Sequence, residues 1–344
     1  MLHVIFYTVL FLPNVFAIEE YPWTYDNDMI GGPNFWGLML GKQCEICSKG
    51  KLQSPIDIRP NRLLFDPNAL PMVIDRTHVM AEMVNTGQMA RVRIGNSAIR
   101  PTANLTGGPL HGYRYRIQRM DLHFGRDSVN GSEHTIDGRK YPMEIQMLAF
   151  NSDLYTNFSQ ASKSPHGLAA IAVLVDFGPS TTDELLKLTI ATASVIYKAQ
   201  RVELSDLKPW KLLPQTRDYV TYDGSISSPP CHETVTWMIV NQPIHISQDH
   251  FREWGKLLQT KEKPKSGEEP KFIAPNTRHT QEFQQRLLRT NIQLKMKTRK
   301  ECKLPMPAFQ YKSSNRIDPH IRYSNTTRHR RRHLHHSYQK EWDL

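Results

Sequence analysis

Residues 121–146 read DLHFGRDSVNGSEHTIDGRKYPMEIQ: a strand-like phrase, a Gly-punctuated turn and a second strand-like phrase. Side chains two residues apart on a strand share a face. Asp121 and His123 therefore point together, and Glu144, Gln146 and Leu148 share a face on the second strand.

Outward from this stretch, short strand-like runs recur between turn signals. Ala90-Arg91-Val92-Arg93-Ile94 alternates with period two, and Ala169 to Phe177 is a continuous apolar run suited to a buried strand. Thr181-Thr182-Asp183-Glu184 before Leu185, Leu186 and Leu188 reads as a capping box opening a helix. Lys261 to Asn276 is polar and rich in Pro and Lys, the pattern of a surface loop. An aromatic, Gly/Pro-punctuated entry segment contains Tyr21-Pro22-Trp23-Thr24-Tyr25 and Phe35-Trp36-Gly37. The pattern predicts a mainly β domain with short helices and no internal repeat.

His123-Phe124-Gly125, Gly131-Ser132-Glu133-His134-Thr135 and Glu144-Ile145-Gln146 resemble the active-site strands of the α-carbonic anhydrase family. Gln53-Ser54-Pro55-Ile56-Asp57-Ile58, Tyr222-Asp223-Gly224-Ser225 and Ser228-Pro229-Pro230 extend the resemblance in order along the chain. It implies a large, twisted, mostly antiparallel central sheet over residues 18–297. It also implies that Asp121, His123 and Gln146 stand where active relatives hold three zinc-binding histidines. Three imidazoles leave zinc a position for water, whose pKa falls to about 7 from about 15.7, and the resulting hydroxide attacks carbon dioxide. Aspartate reaches less far than histidine and adds negative charge, and an amide oxygen is a poor zinc ligand.

By the same resemblance, Gln88 stands at a proton-shuttle position but does not titrate. Ser227, beside Ser228, stands where a threonine orients hydroxide, with Glu133 as its hydrogen-bonding carboxylate. Glu144 matches a carboxylate that orients a metal-binding histidine. Zinc is not expected, these positions read as catalytic remnants, and the chain reads as a non-enzyme. Restoring histidine at 121 and 146 is expected to recover zinc affinity. The alternative is a weak zinc-dependent carbonate dehydratase or esterase with an altered metal site.

Leu122-His123-Phe124-Gly125, Leu154-Tyr155-Thr156-Asn157, Thr221 to Ser225, Pro229-Pro230-Cys231 and Arg289-Thr290-Asn291-Ile292 are similar to the secreted, non-catalytic carbonic anhydrase-related proteins X and XI. That branch implies an extracellular or cell-surface protein partner, neurexin-like, at cell–cell or synaptic contacts. Asp121 departs from the branch, where the position is more often basic.

The ends of the chain differ in character from its middle. Val4 to Phe16 is almost wholly apolar and precedes Ala17, too short to span a bilayer, so residues 1–17 read as a secretory signal peptide. A buried N-terminal strand is the blander reading. Sequons at Asn104, Asn130, Asn157 and Asn325 agree with an extracellular address. From Lys295 onward thirteen Lys or Arg face four Asp or Glu, so nine of the formal +11 charges belong to the tail. A secreted protein with a nearly neutral domain is no nucleic-acid binder. Residues 298–344 read as a disordered basic tail, and Arg328–Arg332 reads first as part of that solvated tail, with an anionic-glycan site and a basic convertase site as the functional alternatives.

Four cysteines allow three complete pairings. The family resemblance implies a disulfide between Cys47 and Cys231. Cys44-Glu45-Ile46-Cys47 also has redox or zinc spacing, which without a second pair is weak. Cys44 pairs with Cys302, or Cys302 stays available to a partner protein; the residues leave both open.

Overall fold

Alternating burial along the central runs converts directly into strands. In this computed structural model, which describes residues 23–95, 101–126 and 130–293, the main strands are β1 (Leu63–Phe65), β2 (Val79–Asn85), β3 (Ala90–Ile94), β4 (Tyr115–Phe124) and β5 (Met143–Asn151). They are followed by β6 (Leu168–Phe177), β7 (Arg201–Leu207), β8 (Tyr219–Gly224), β9 (Val235–Val240) and β10 (Leu288–Thr290). They lie in the order β7-β2-β3-β4-β5-β6-β9-β8-β10-β1, and Met72–Ile74, Asn104–Gly107 and Ile244–Ile246 complete a 13-stranded sheet. Its parallel pairs are β6 with β9, β6 with Ile244–Ile246, and β10 with β1. The remaining ladders are antiparallel, as expected from the sequence.

Two hydrophobic clusters sandwich this sheet. Val92, Met120, Leu122, Ile145, Met147 and Ile171 face one side, and Leu148, Phe150, Ala170, Tyr222 and Trp237 face the other. All nine residues of β5 are buried, because the strand is covered on both faces. The helices are short: α1 (Trp36–Met39), α2 (Ile46–Lys49), α3 (Phe158–Ala161), α4 (Asp183–Ala191) and α5 (Gln248–Trp254). No described helix is long and apolar enough to cross a membrane.

Helix α4 begins where the sequence predicts, and Leu185 and Leu188 are buried. The capping box, however, is not formed. Thr182 makes no side-chain cap, and its hydroxyl accepts instead from the His245 N–H at 3.3 Å. Tertiary pairing competes here with the local motif and wins.

The Lys261–Asn276 loop is a second correction. Its start is exposed, but Ile273, Ala274 and Asn276 are buried. The loop thus leaves the surface and enters the core beside β4.

Cys47 and Cys231 are joined, with Cα atoms 5.1 Å apart across a sequence separation of 184. Cys44 is a free, buried thiol in the same cluster as both of them, with Tyr25, Trp36, Leu40 and Met89. The segment 1–17, the tail 298–344, Cys302, Asn325 and Arg328–Arg332 lie outside the described residues.

Candidate functional site

Antiparallel β4 and β5 set Asp121 opposite Gln146 and His123 opposite Glu144. Directly opposed residues share a sheet face, so the four side chains form one buried polar floor among otherwise apolar strands. Each is at most 2% exposed. The register thus brings the three ligand positions together, as the spacing predicts. What each one touches differs from the metal-site reading.

Asp121 is held by two arginines. Arg91 on β3 donates from Nε at 2.5 Å and from Nη2 at 3.1 Å, and Arg119 donates from Nε at 3.1 Å. Burial would raise the Asp121 pKa; Arg119 and Arg91 override it and hold the carboxyl down to about 2. Arg119 is in turn lowered to about 10, first by burial and then by the like charge of Arg91.

Gln146 sits between carboxylates and a hydroxyl. Its Nε2 donates to Glu133 at 2.7 Å and Glu144 at 3.0 Å, while its Oε1 accepts from Ser227 at 3.2 Å. Ser227 and Glu133 are therefore bridged by Gln146 rather than bonded directly. Ser228, 4% exposed, turns its carbonyl to the Cys231 N–H at 3.0 Å. Gln88, half-buried in the turn between β2 and β3, donates to the Trp23 carbonyl at 3.3 Å and so fastens the entry segment to that turn.

His123 Nδ1 lies 2.8 Å from the Asn276 carbonyl, and because a carbonyl only accepts, Nδ1 carries the hydrogen. Its Nε2 is buried without a partner, as is the Tyr25 hydroxyl, whose ring packs edge-on to His123 at 5.9 Å between centroids. Burial, then the nearby Glu133 and Asp121, push the Tyr25 pKa up.

The partner of Glu144 is His134, a residue the sequence displays without revealing its role. His134 Nδ1 is 2.7 Å from Glu144 Oε1, and Nε2 is 2.8 Å from the Tyr222 hydroxyl, itself 2.9 Å from Ser54 Oγ. Glu144 Oε2 also accepts the Glu133 and His134 N–H groups at 2.9 and 2.8 Å. Burial alone would raise the Glu144 pKa, but His134 and these bonds bring it to about 2.

Arg278, beyond the loop, is a second missed residue. Its N–H donates to Glu133, and its guanidinium to the Gln53 side chain and the Ser54 and Cys47 carbonyls, at 2.7 to 2.9 Å.

These residues do not fit zinc. Only His123 Nε2 offers a lone pair without a protein partner. Asp121 is spent on two guanidiniums, and the Gln146 donor end faces carboxylates. Arg91, Arg119 and Arg278 already balance Asp121, Glu133 and Glu144, so a dication would enter a site whose charges are matched. Among the described residues no group of three His, Cys, Asp or Glu side chains is placed to hold a metal ion.

The predicted glycan acceptors differ in exposure. Asn130 and Asn157 are exposed, and Asn157 caps α3 through its side-chain oxygen. Asn104 is half-buried, and its amide donates to Asp75 at 2.9 Å.

Comparison with known proteins agrees with the architecture. Residues 31–292 match the model of the eukaryotic-type carbonic anhydrase family. The chain is 48% identical over 340 residues to carbonic anhydrase-like protein 1 of Caenorhabditis elegans, covering 81% of this chain and 92% of the relative. It is 46% identical over 263 residues to carbonic anhydrase-like protein 2 of the same organism, covering 76% and 77% respectively.

Proposed function

The chain belongs to the eukaryotic-type carbonic anhydrase family, and from that premise we propose that it is a secreted, catalytically inactive member acting as an extracellular binding protein. One observation carries the reading: protein groups occupy the former metal cone. Arg91 and Arg119 neutralise Asp121, and Gln146 fills the gap between Ser227 and Glu133. Carbon dioxide hydration at neutral pH depends on a metal-bound water made acidic, and no side chain on this floor replaces that activation. Both relatives are named carbonic anhydrase-like rather than carbonic anhydrase.

Placement beside the related proteins X and XI rests on the sequence phrases they share with this chain. The partner this implies is a neurexin-like cell-surface protein at cell–cell or synaptic contacts. An apolar N-terminal segment, four sequons and a disulfide support secretion, and the basic tail supports contact with anionic glycans.

One atom favours the alternative of an altered zinc enzyme: the unpartnered Nε2 of His123. A single imidazole is too few for zinc, which takes three or four protein ligands. Metal analysis of purified protein with stopped-flow carbon dioxide hydration separates the readings. Absence of turnover with less than stoichiometric zinc is expected; stoichiometric zinc with measurable turnover would sink the proposal. A pull-down from neuronal membranes tests the partner class, and recovery of no such receptor under reducing and non-reducing conditions would remove it.

A further inference from the structure

Strand β3 alternates strictly: Ala90, Val92 and Ile94 enter the core, while Arg91 and Arg93 take the opposite face. Antiparallel register then sets Arg91 across from Asp121 and Arg93 across from Arg119. The first pairing is an ion pair. The second places two like charges directly opposite each other on neighbouring strands, an arrangement that costs stability unless an anion lies between them.

The hydrogen-bond inventory of this pair is incomplete. Arg119 spends Nε on Asp121 and lays its guanidinium over the Phe158 ring, 4.9 Å from the centroid. Among the described residues its two terminal nitrogens meet no acceptor, and neither is among the buried unpartnered atoms, so both reach solvent. Its side chain keeps 18% exposure. Arg93 is exposed and makes no hydrogen bond or ion pair with a described residue.

The carboxylates facing this pair are few. Asp121 is shared by Arg91 and Arg119. Glu82 lies across from Arg93 on β2, but its carboxylate turns to Arg201 at 3.5 Å, with Glu203 beyond it on β7. Among the described residues no carboxylate pairs with Arg93, and Arg119 pairs with Asp121 alone.

We propose that the rim of the former metal cone binds a small oxyanion, a carboxylate or sulfate group, between the guanidiniums of Arg93 and Arg119. A guanidinium presents a planar fork of N–H donors that matches two oxygens of such a group. Arg119 is pre-set for the task, because Asp121 fixes its Nε and Phe158 supports its plane. Arg93 supplies a second, mobile fork. The cation is the protein's own, so the site needs no metal.

Isothermal titration of the full chain with sodium sulfate and, separately, sodium acetate tests this, against sodium chloride at matched ionic strength. Saturable binding above the chloride baseline is expected, and the tighter of the two anions tells whether the natural group is a carboxylate or a sulfate ester. Arg93→Gln should weaken it about tenfold or more, the scale of one hydrogen bond to a charged group. Arg252→Gln, an exposed charge on α5, should leave it unchanged. Because Arg93 is exposed, its variant is expected to fold, as near-native thermal unfolding will show. No binding above chloride overturns the proposal. So does native-like affinity in Arg93→Gln, which would place the anions elsewhere, such as the basic tail, and so does equal loss in both variants.

Discussion

Two cross-strand pairs, adjacent on the same two strands, have met opposite fates. At His123–Glu144 the neighbourhood keeps a closed hydrogen-bond network through His134, Tyr222 and Ser54. At Asp121–Gln146 the carboxylate is held by two cations, Arg91 from the neighbouring strand and Arg119 from two residues away on β4. The first side satisfies Glu144, His134 and Tyr222 without any ion and leaves His123 Nε2 unpartnered. The second would present an isolated buried carboxylate, and two guanidiniums compensate it. One half of the floor is held by a hydrogen-bond network, and the other is built around arginine.

The comparison breaks if the two sides prove equally important to stability. Glu144→Gln should cost the most, about 3 kcal/mol, since it turns an acceptor of four hydrogen bonds into a partial donor facing N–H groups. Asp121→Asn should cost less, about 2 kcal/mol, because Arg91 and Arg119 keep 19% and 18% side-chain exposure and recover some hydration. Urea unfolding at pH 7 ranks them, and a reversed order would show that the arginine side bears more of the fold.

Acid sharpens the same contrast. Both carboxyls are lowered to about 2, below the ordinary values of 3.8 for Asp and 4.5 for Glu. A depressed carboxyl contributes stability above its unfolded pKa and loses it as pH falls through the folded one. Stability should therefore decline between about pH 4.5 and pH 2. Unfolding curves at pH 7, 4 and 3 should show a shallower decline in either single variant, with Glu144→Gln flattening it more.

Metal affinity offers a further separation. Asp121→His with Gln146→His alone leaves Arg91 and Arg119 beside the restored ligands, contrary to the simple expectation that two histidines suffice. Adding Arg91→Asn and Arg119→Gln should tighten zinc binding at least about tenfold over that double variant, as removing two adjacent cations lowers repulsion of a dication. Competition with a chelator measures it, and equal affinities would show that the guanidiniums do not oppose zinc. The smallest effect is expected at Tyr25, whose hydroxyl is buried without a partner. Tyr25→Phe should be neutral or stabilising by about 1 kcal/mol in thermal unfolding; a clear loss would reveal a bonded water.

Much of this was legible along the chain. Alternation at Ala90–Ile94, the apolar run ending at Phe177 and the phrases around His123 and Gln146 lead to the sheet, because period-two patterning is a local property. The Cys47–Cys231 link followed from family resemblance, not from spacing. Arg91 was visible as an outward-facing strand residue, but its bond to Asp121 spans 30 positions and depends on register. Asn276 and Arg278 were hidden at the end of a polar stretch that looked like surface, and nothing local marks their return to the core.

Residue identity along the chain was thus enough to specify a carbonic anhydrase-like sheet and to place Asp121 with His123, and Glu144 with Gln146, on shared strand faces, since strand spacing is local. Folding settled what surrounds these side chains. Arg119 lies two residues from Asp121 on β4 itself, but Arg91 reaches it only because β3 packs beside β4, and charges far apart in sequence matter only once they are close in space.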